Sequence, residues 1–206
     1  MERPLTATNY FLLGLLALRR EWSAYDLVQQ SQRNLRFLWP RAESKVYESA
    51  KRLAALGLAT ATQQPTGRRR RTMYSITPEG RRALRGWLRR AGAGPALEFE
   101  GALKLFFADQ GTKRDALATV DMIERWAAEV HATGEAIARE TNNTDGGPFP
   151  ERLHVNALIT ELIWRHVEMI EEWVGWARAQ IDDWDGTGAQ PQRHEQDMSS
   201  YRRRLK

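Results

Sequence analysis

Apolar positions crowd together between residues 6 and 18. Tyr10, Leu13 and Ala17 recur at helical spacing, and Phe11, Leu12, Leu15 and Leu16 widen the face into that of a buried helix. Arg19 and Arg20 are expected in its last turn, complementing the carbonyl end of the dipole. Ser23, with Asp26 three residues on, has the spacing of a capping box and opens a short helix carrying Leu27 and Val28. A loop over 34–40 holds Phe37, Leu38 and Trp39. A third helix, 42–56, turns Val46, Ala50, Leu53 and Ala54 inward, and Gly57 stands where a left-handed residue closes a helix. Its other face shows Ser44, Lys45, Glu48, Lys51 and Arg52. Residues 58–64 and 68–77 read as two strands joined by Pro65-Thr66-Gly67, and Thr77-Pro78 then starts a helix with Ala83, Leu84, Trp87 and Leu88.

The segment Ala91-Gly92-Ala93-Gly94-Pro95 interrupts the pattern, and everything after it is helical. A short helix over 98–108 carries Phe99, Leu103, Phe106 and Phe107. Thr112 caps a long one reaching about residue 140, in which Val120, Ile123, Ala127, Val130, Gly134 and Ile137 keep a 3-4 spacing. A last helix over 151–184 repeats Ile159, Ile163, His166, Ile170, Trp173 and Ala177 at the same spacing, flanked by Leu158, Leu162, Met169 and Trp176. These faces are wider than one intramolecular helix pair covers, which predicts a homodimer through residues 112–184. Val120, Ile123, Ala127, Val130, Gly134, Ile137, Ile159, Ile163 and Ile170 are the expected contacts, with Gly134 admitting a close backbone.

Three helices, a two-stranded hairpin and a fourth helix within about ninety residues describe a winged helix-turn-helix. The expected fold is therefore mainly α. A winged helix over 1–92, with three helices and a two-stranded wing, precedes a helical dimerisation domain over 96–185. A polar tail without order is expected over 186–206.

Charge divides at the same boundary. Residues 1–95 hold 18 Lys and Arg against 6 Asp and Glu, whereas residues 96–190 hold 8 against 18, although the whole chain carries only +5. A basic first half suits a polyanion. Arg68, Arg69, Arg70 and Arg71 repel one another at the hairpin tip, and a phosphate backbone relieves that repulsion while releasing counterions. Gln29, Ser44, Lys45, Tyr47, Glu48, Lys51 and Arg52 are the candidates for the DNA-reading face, although Tyr47, beside Val46, reads equally well as core.

Little points to catalysis, and no metal or cofactor site is expected. The 206 residues contain no cysteine, and His131, His154, His166 and His194 form no HExxH motif. Neither a GxSxG elbow nor a phosphate-binding loop occurs. The carboxylates of Glu171-Glu172 and Asp182-Asp183 are sequence neighbours and point to different sides of a helix. With no apolar run of membrane-spanning length and no secretion signal, a cytoplasmic protein is expected.

The wording of the first half is more specific than its architecture. Lys45-Val46-Tyr47, Lys51-Arg52-Leu53 and Leu56-Gly57-Leu58 resemble the recognition-helix signature of the PadR family of transcriptional regulators. The stretch Tyr74-Ser75-Ile76-Thr77-Pro78-Glu79-Gly80 is similar to that family's wing and the helix after it. The opening Tyr10-Phe11-Leu12-Leu13-Gly14, and Leu97-Glu98-Phe99 through Leu105-Phe106, match as well. The resemblance implies a repressor binding double-stranded DNA through α-helical and wing contacts, Tyr74 among the wing residues. It also implies release by a small planar or phenolic effector, for which Trp126, Trp173 and Trp176 are the stacking candidates. Two other readings stay open. One is a dimeric interaction module using the winged helix as a scaffold. The other is a MarR-like regulator, although such proteins carry a further helix before the winged helix, and here the first helix begins within ten residues of Met1.

Overall fold

The Thr6 hydroxyl accepts from the Asn9 amide at 3.3 Å, and the Asn9 side chain accepts from the Thr6 amide at 3.0 Å, so a reciprocal cap starts helix α1 (Ala7–Leu18). This is a computed structural model, and it describes residues 4–33, 37, 39, 42–66 and 69–205, with only the backbone of Thr66 and Arg69. Most of the loop expected over 34–40 lies outside the described residues. The chain divides into two units, 1–95 and 96–206.

In the first unit α1 packs against α3 (Glu43–Ala55) and α4 (Pro78–Leu88), and α2 (Ala24–Arg33) against α3, around Leu12, Leu13, Leu16, Leu27, Val28, Val46, Ala50 and Leu53, all buried. Arg19 does not extend α1. It is extended at φ −136° and lays its guanidinium 4.5 Å above the ring of Trp22, a buried indole whose face attracts a cation. Ser23 caps α2, as its spacing with Asp26 predicts: its hydroxyl donates to the Asp26 carboxylate at 2.7 Å and accepts from the Asp26 amide at 3.1 Å.

The wing consists of β2 (Ala59–Thr66) and β3 (Arg69–Ile76), antiparallel, with Ala59 opposite Ile76 and Gln64 opposite Arg71. A third strand, β1 (Trp22–Ser23), pairs with the other edge of β3, so the sheet order is β1-β3-β2 rather than the two-stranded hairpin expected. Gly57, at φ +69°, ends α3. The Leu58 amide donates to the Leu53 carbonyl at 2.9 Å and the Gly57 amide to that of Ala54 at 3.0 Å, the paired bonds of a Schellman stop. Thr77 joins wing to helix: its hydroxyl donates to the Gly57 carbonyl at 2.8 Å and accepts from the Gly80 amide at 3.0 Å. At the far end of α4, Trp87 stacks on Tyr10 with ring centres 5.1 Å apart.

The second unit comprises α5 (Glu100–Phe106), α6 (Lys113–Asn143), α7 (Leu153–Asp182) and α8 (His194–Arg202). Thr112 and Asp115 form a capping box at the start of α6. α6 and α7 run antiparallel, because Lys113 donates to the carbonyls of Asp182 and Trp184 while Gly134, twenty-one residues on, faces Trp164. Ala116, Val120, Ile123, Ala127 and Val130 of α6 are buried, as are Val167, Ile170, Val174, Ala177 and Ile181 of α7. Arg178 ties the pair from outside, with Asp121 at 2.7 Å and Glu124 at 2.8 Å. The tail expected to lack order instead folds into α8 and short 3-10 turns. Within it Arg193 is buried, and its guanidinium is joined to Asp183 and to Gln180 at the end of α7.

Candidate nucleic-acid interface

The inward face of α3 carries Val46, Ser49, Ala50 and Leu53, all buried, so helical period turns Ser44, Lys45, Glu48 and Lys51 to solvent. Tyr47 is 37% exposed, which puts its ring at the edge of this face and not in the core. Lys45 donates to the Glu48 carboxylate at 2.8 Å. That hydrogen bond, then the ammonium charge, then Arg52, hold the Glu48 carboxyl below the usual carboxylate range. Arg52 sits at the border of the face and donates to the Pro4 carbonyl at 3.2 Å, which turns its guanidinium toward the N-terminal segment. Gln29 is exposed on α2.

Arg70 and Arg71 are exposed on β3, opposite Pro65 and Gln64. Arg68 and the side chain of Arg69 lie outside the described residues. The two wing strands are also tied by a 2.8 Å hydrogen bond from Gln63 to Thr72. Tyr74 is not a wing contact. It is buried opposite Trp22 and Ala61, and burial pushes its phenol above the ordinary value. Trp22 on the added strand closes over that side of β3, so the ring faces protein where a bare hairpin would have left it open.

The residues expected to join two copies have mostly found partners inside one chain. Val120, Ile123, Ala127, Val130 and Ile170 are buried in the α6–α7 seam, and Gly134 gives room to the Trp164 ring. Ile137, Ile159 and Ile163 are half-buried along the same helices. A different stripe of α7 faces solvent: Leu158, 72% exposed, and Leu162, Met169 and Trp176. Met122 and Trp126 of α6 are exposed too. The signal for this stripe is the second 3-4 repeat flanking the first, which the sequence pattern merges into one broad face.

The three tryptophans proposed for stacking have separate surroundings. Trp126 stands edge-on to His166 at 6.4 Å, Trp173 edge-on to Phe99 at 6.3 Å, and Trp176 is half exposed. His131 Nδ1 donates to the Glu171 carboxylate at 3.1 Å, and its ring stands edge-on to Trp164. Among the described residues no cluster of three or more His, Asp or Glu side chains is arranged to hold a metal ion, and no helix is long and apolar enough to cross a membrane.

Residues 12–86 match the Transcriptional regulator PadR-like family. No curated protein matches the chain. Among solved structures, Bacillus subtilis PadR in complex with operator DNA is 22% identical, with 85% of this chain and 99% of that chain covered at a TM-score of 0.67. Bacillus subtilis PadR in complex with p-coumaric acid is 20% identical, with 88% and 100% covered at a TM-score of 0.62. The Vibrio cholerae virulence activator AphA is 17% identical, with 85% and 98% covered, also at 0.62. Likeness at these identities is a likeness of fold, and it extends past the winged helix into the helical second unit. Residues 12–86 thus carry the pattern of the PadR-like family of transcriptional regulators, and the fold of the chain is similar to that of Bacillus subtilis PadR.

Proposed function

We propose that this protein is a cytoplasmic repressor that binds a palindromic operator as a homodimer and is released by a small planar or phenolic molecule. The observation that carries the DNA reading is the solvent-facing set Ser44, Lys45, Tyr47, Glu48 and Lys51 on α3, in the same unit as the exposed Arg70 and Arg71 of the wing. A helix with a basic outer face enters a major groove, and wing arginines meet phosphate or an adjacent minor groove. One winged helix makes few contacts. Two copies read half-sites about 34 Å apart, or a multiple of that, and multiply selectivity. The exposed stripe of Leu158, Leu162, Met169 and Trp176 supports self-association, since a monomer gains nothing from leaving it in water. Bacillus subtilis PadR has been seen with operator DNA and with p-coumaric acid, which supports a nucleic acid and a phenolic ligand as the partners here. Trp126 and Trp176 are the exposed indoles on which a planar ring would stack.

The test is fluorescence anisotropy with duplex DNA between 50 and 200 mM salt, conditions over which phosphate contacts lose affinity steeply. The Arg70→Ala, Arg71→Ala double variant is expected to lower the slope of log K against log salt by about one to two. An unchanged slope would show that the wing does not meet phosphate, and wild-type protein without salt-sensitive binding would leave the winged helix as a scaffold only. Tryptophan quenching by a phenolic acid, together with release of bound duplex, is the expected effector signature. Quenching with unaltered DNA affinity would remove the pocket as a switch, because a ligand shifts only an equilibrium whose states it binds unequally.

A further inference from the structure

We infer that Lys45 and Glu48 act together as a reader of one C·G base pair in each half-site, Glu48 accepting from the cytosine amino group and Lys45 donating to guanine O6. This rests on the reading of α3 as the recognition helix. Both residues lie in its first two turns, the part of such a helix that meets base edges, and both are more than 60% exposed in their side chains.

The carboxylate is the informative group. In a surface meant for DNA, a negative charge repels phosphate and weakens binding to every duplex. That cost is recovered where it accepts a hydrogen bond from a base. The major groove offers two such donors, cytosine N4 and adenine N6. Glu48 holds its proton poorly because Lys45 is bonded to it, so it approaches the groove as an acceptor with no proton to donate.

The geometry separates the two donors. The ammonium and the carboxylate oxygen stand 2.8 Å apart. In a Watson–Crick pair the amino donor and the carbonyl acceptor facing the major groove are themselves one hydrogen bond apart, about 2.9 Å. A donor–acceptor pair on the helix therefore matches an acceptor–donor pair on the base edge without either side chain changing its spacing. Over an A·T pair, the carboxylate above adenine N6 would also face the N7 acceptor, and the ammonium above thymine O4 would meet the C5 methyl group. Over a C·G pair, the carboxylate has only a C–H beside cytosine N4, and the ammonium gains guanine N7 as a second acceptor beside O6. Both flanks favour C·G.

Full-length wild-type protein, Glu48→Ala and Glu48→Gln are each carried through selection from a pool of randomised duplexes, and the affinities of the selected sites are then measured. The wild type is expected to select a site with a fixed C·G in each half. Replacing that pair by T·A should weaken its binding about 5- to 150-fold, the range for one good base contact. Glu48→Ala should bind both sites within about twofold of each other, and Glu48→Gln should shift its selected base toward adenine, whose N6 and N7 suit an amide. Random duplex should be bound no more weakly by either variant, since a negative charge has gone. If Glu48→Ala selects the wild-type site with undiminished preference, or if either variant loses background binding, the inference is overturned while the recognition-helix reading stands. If the wild type itself selects no site, that reading fails and the inference falls with it. Far-UV circular dichroism of the variants separates a binding defect from a folding one.

Discussion

Gly80 should be nearly intolerant of a methyl group, although alanine is the better helix former. A Cβ at this position would lie 2.1 Å from the Leu58 carbonyl oxygen and 3.0 Å from Ile76 Cγ1. The first distance is more than 1 Å, roughly, inside van der Waals separation. The carbonyl is backbone and already accepts from the Thr77 amide at 3.2 Å, so it has no rotamer through which to yield. Relief requires α4 to move off the end of the wing. Overpacking of this kind costs about 1–3 kcal/mol, and stretching the Thr77–Leu58 hydrogen bond adds about 0.5–1.5 kcal/mol. Helix propensity returns up to about 1 kcal/mol, which leaves Gly80→Ala destabilised by about 2 kcal/mol. Gly86 of the same helix is the control. Nothing lies within 4 Å of a Cβ there, so Gly86→Ala should gain about 0.5–1 kcal/mol. Native-state hydrogen exchange of the α3 and α4 amides reports this unit separately from the helical one. Equal protection in the two variants, or a more stable Gly80→Ala, would refute the reasoning.

Other consequences concern both units. Leu158→Glu with Leu162→Glu should convert a dimer to a folded monomer at micromolar concentration, read as halved mass by light scattering with little change in thermal midpoint, because both side chains are exposed. Ile123→Ala should do the reverse: it removes seam volume and costs about 2–5 kcal/mol of stability in urea titration, with the mass unaltered. Asp115, held below the ordinary carboxyl value of 3.8 by the Thr112 hydroxyl and amide, supports α6 above that pH and loses the contribution as the pH falls through its lowered value; Asp115→Asn should flatten that acid limb in a thermal-melt series. Thr77→Ala, which deprives the Gly80 amide and the Gly57 carbonyl of their partner, should cost about 1 kcal/mol.

Local chemistry made the element ends legible. Ser23, Gly57, Thr77-Pro78 and Thr112 announce helix boundaries by groups that act within four residues, and the structure uses each of them so. The two-residue strand at Trp22 left no alternation to detect, and with it went the clue that Tyr74 would be covered. Periodicity records that a stripe is buried but not what buries it: Val120, Ile123, Ala127 and Val130 look the same in sequence whether α7 of their own chain or a second copy meets them. Arg193 is the opposite case, a charge that reads as solvated until Asp183 and Gln180, ten and thirteen residues earlier, come beside it. On α3 the exposed set was legible because its buried complement is so regular, and only Arg52 was drawn aside, by a backbone carbonyl that no side-chain pattern reveals.

Ser23 occupies two structures at once: its backbone pairs with Met73 in the wing sheet, and its side chain caps α2. Just past the C-terminal end of β3, Thr77 is bonded both to the stop of α3 and to the start of α4. The base of the wing is thus tied at two points to the helices beside it, and cannot shift there without uncapping one of them. Those ties set the base of the wing at one distance from α3, as in a caliper. A duplex that meets both α3 and the wing must bring its grooves to that fixed opening, so sequences that deform cheaply gain an advantage at base pairs that no side chain touches.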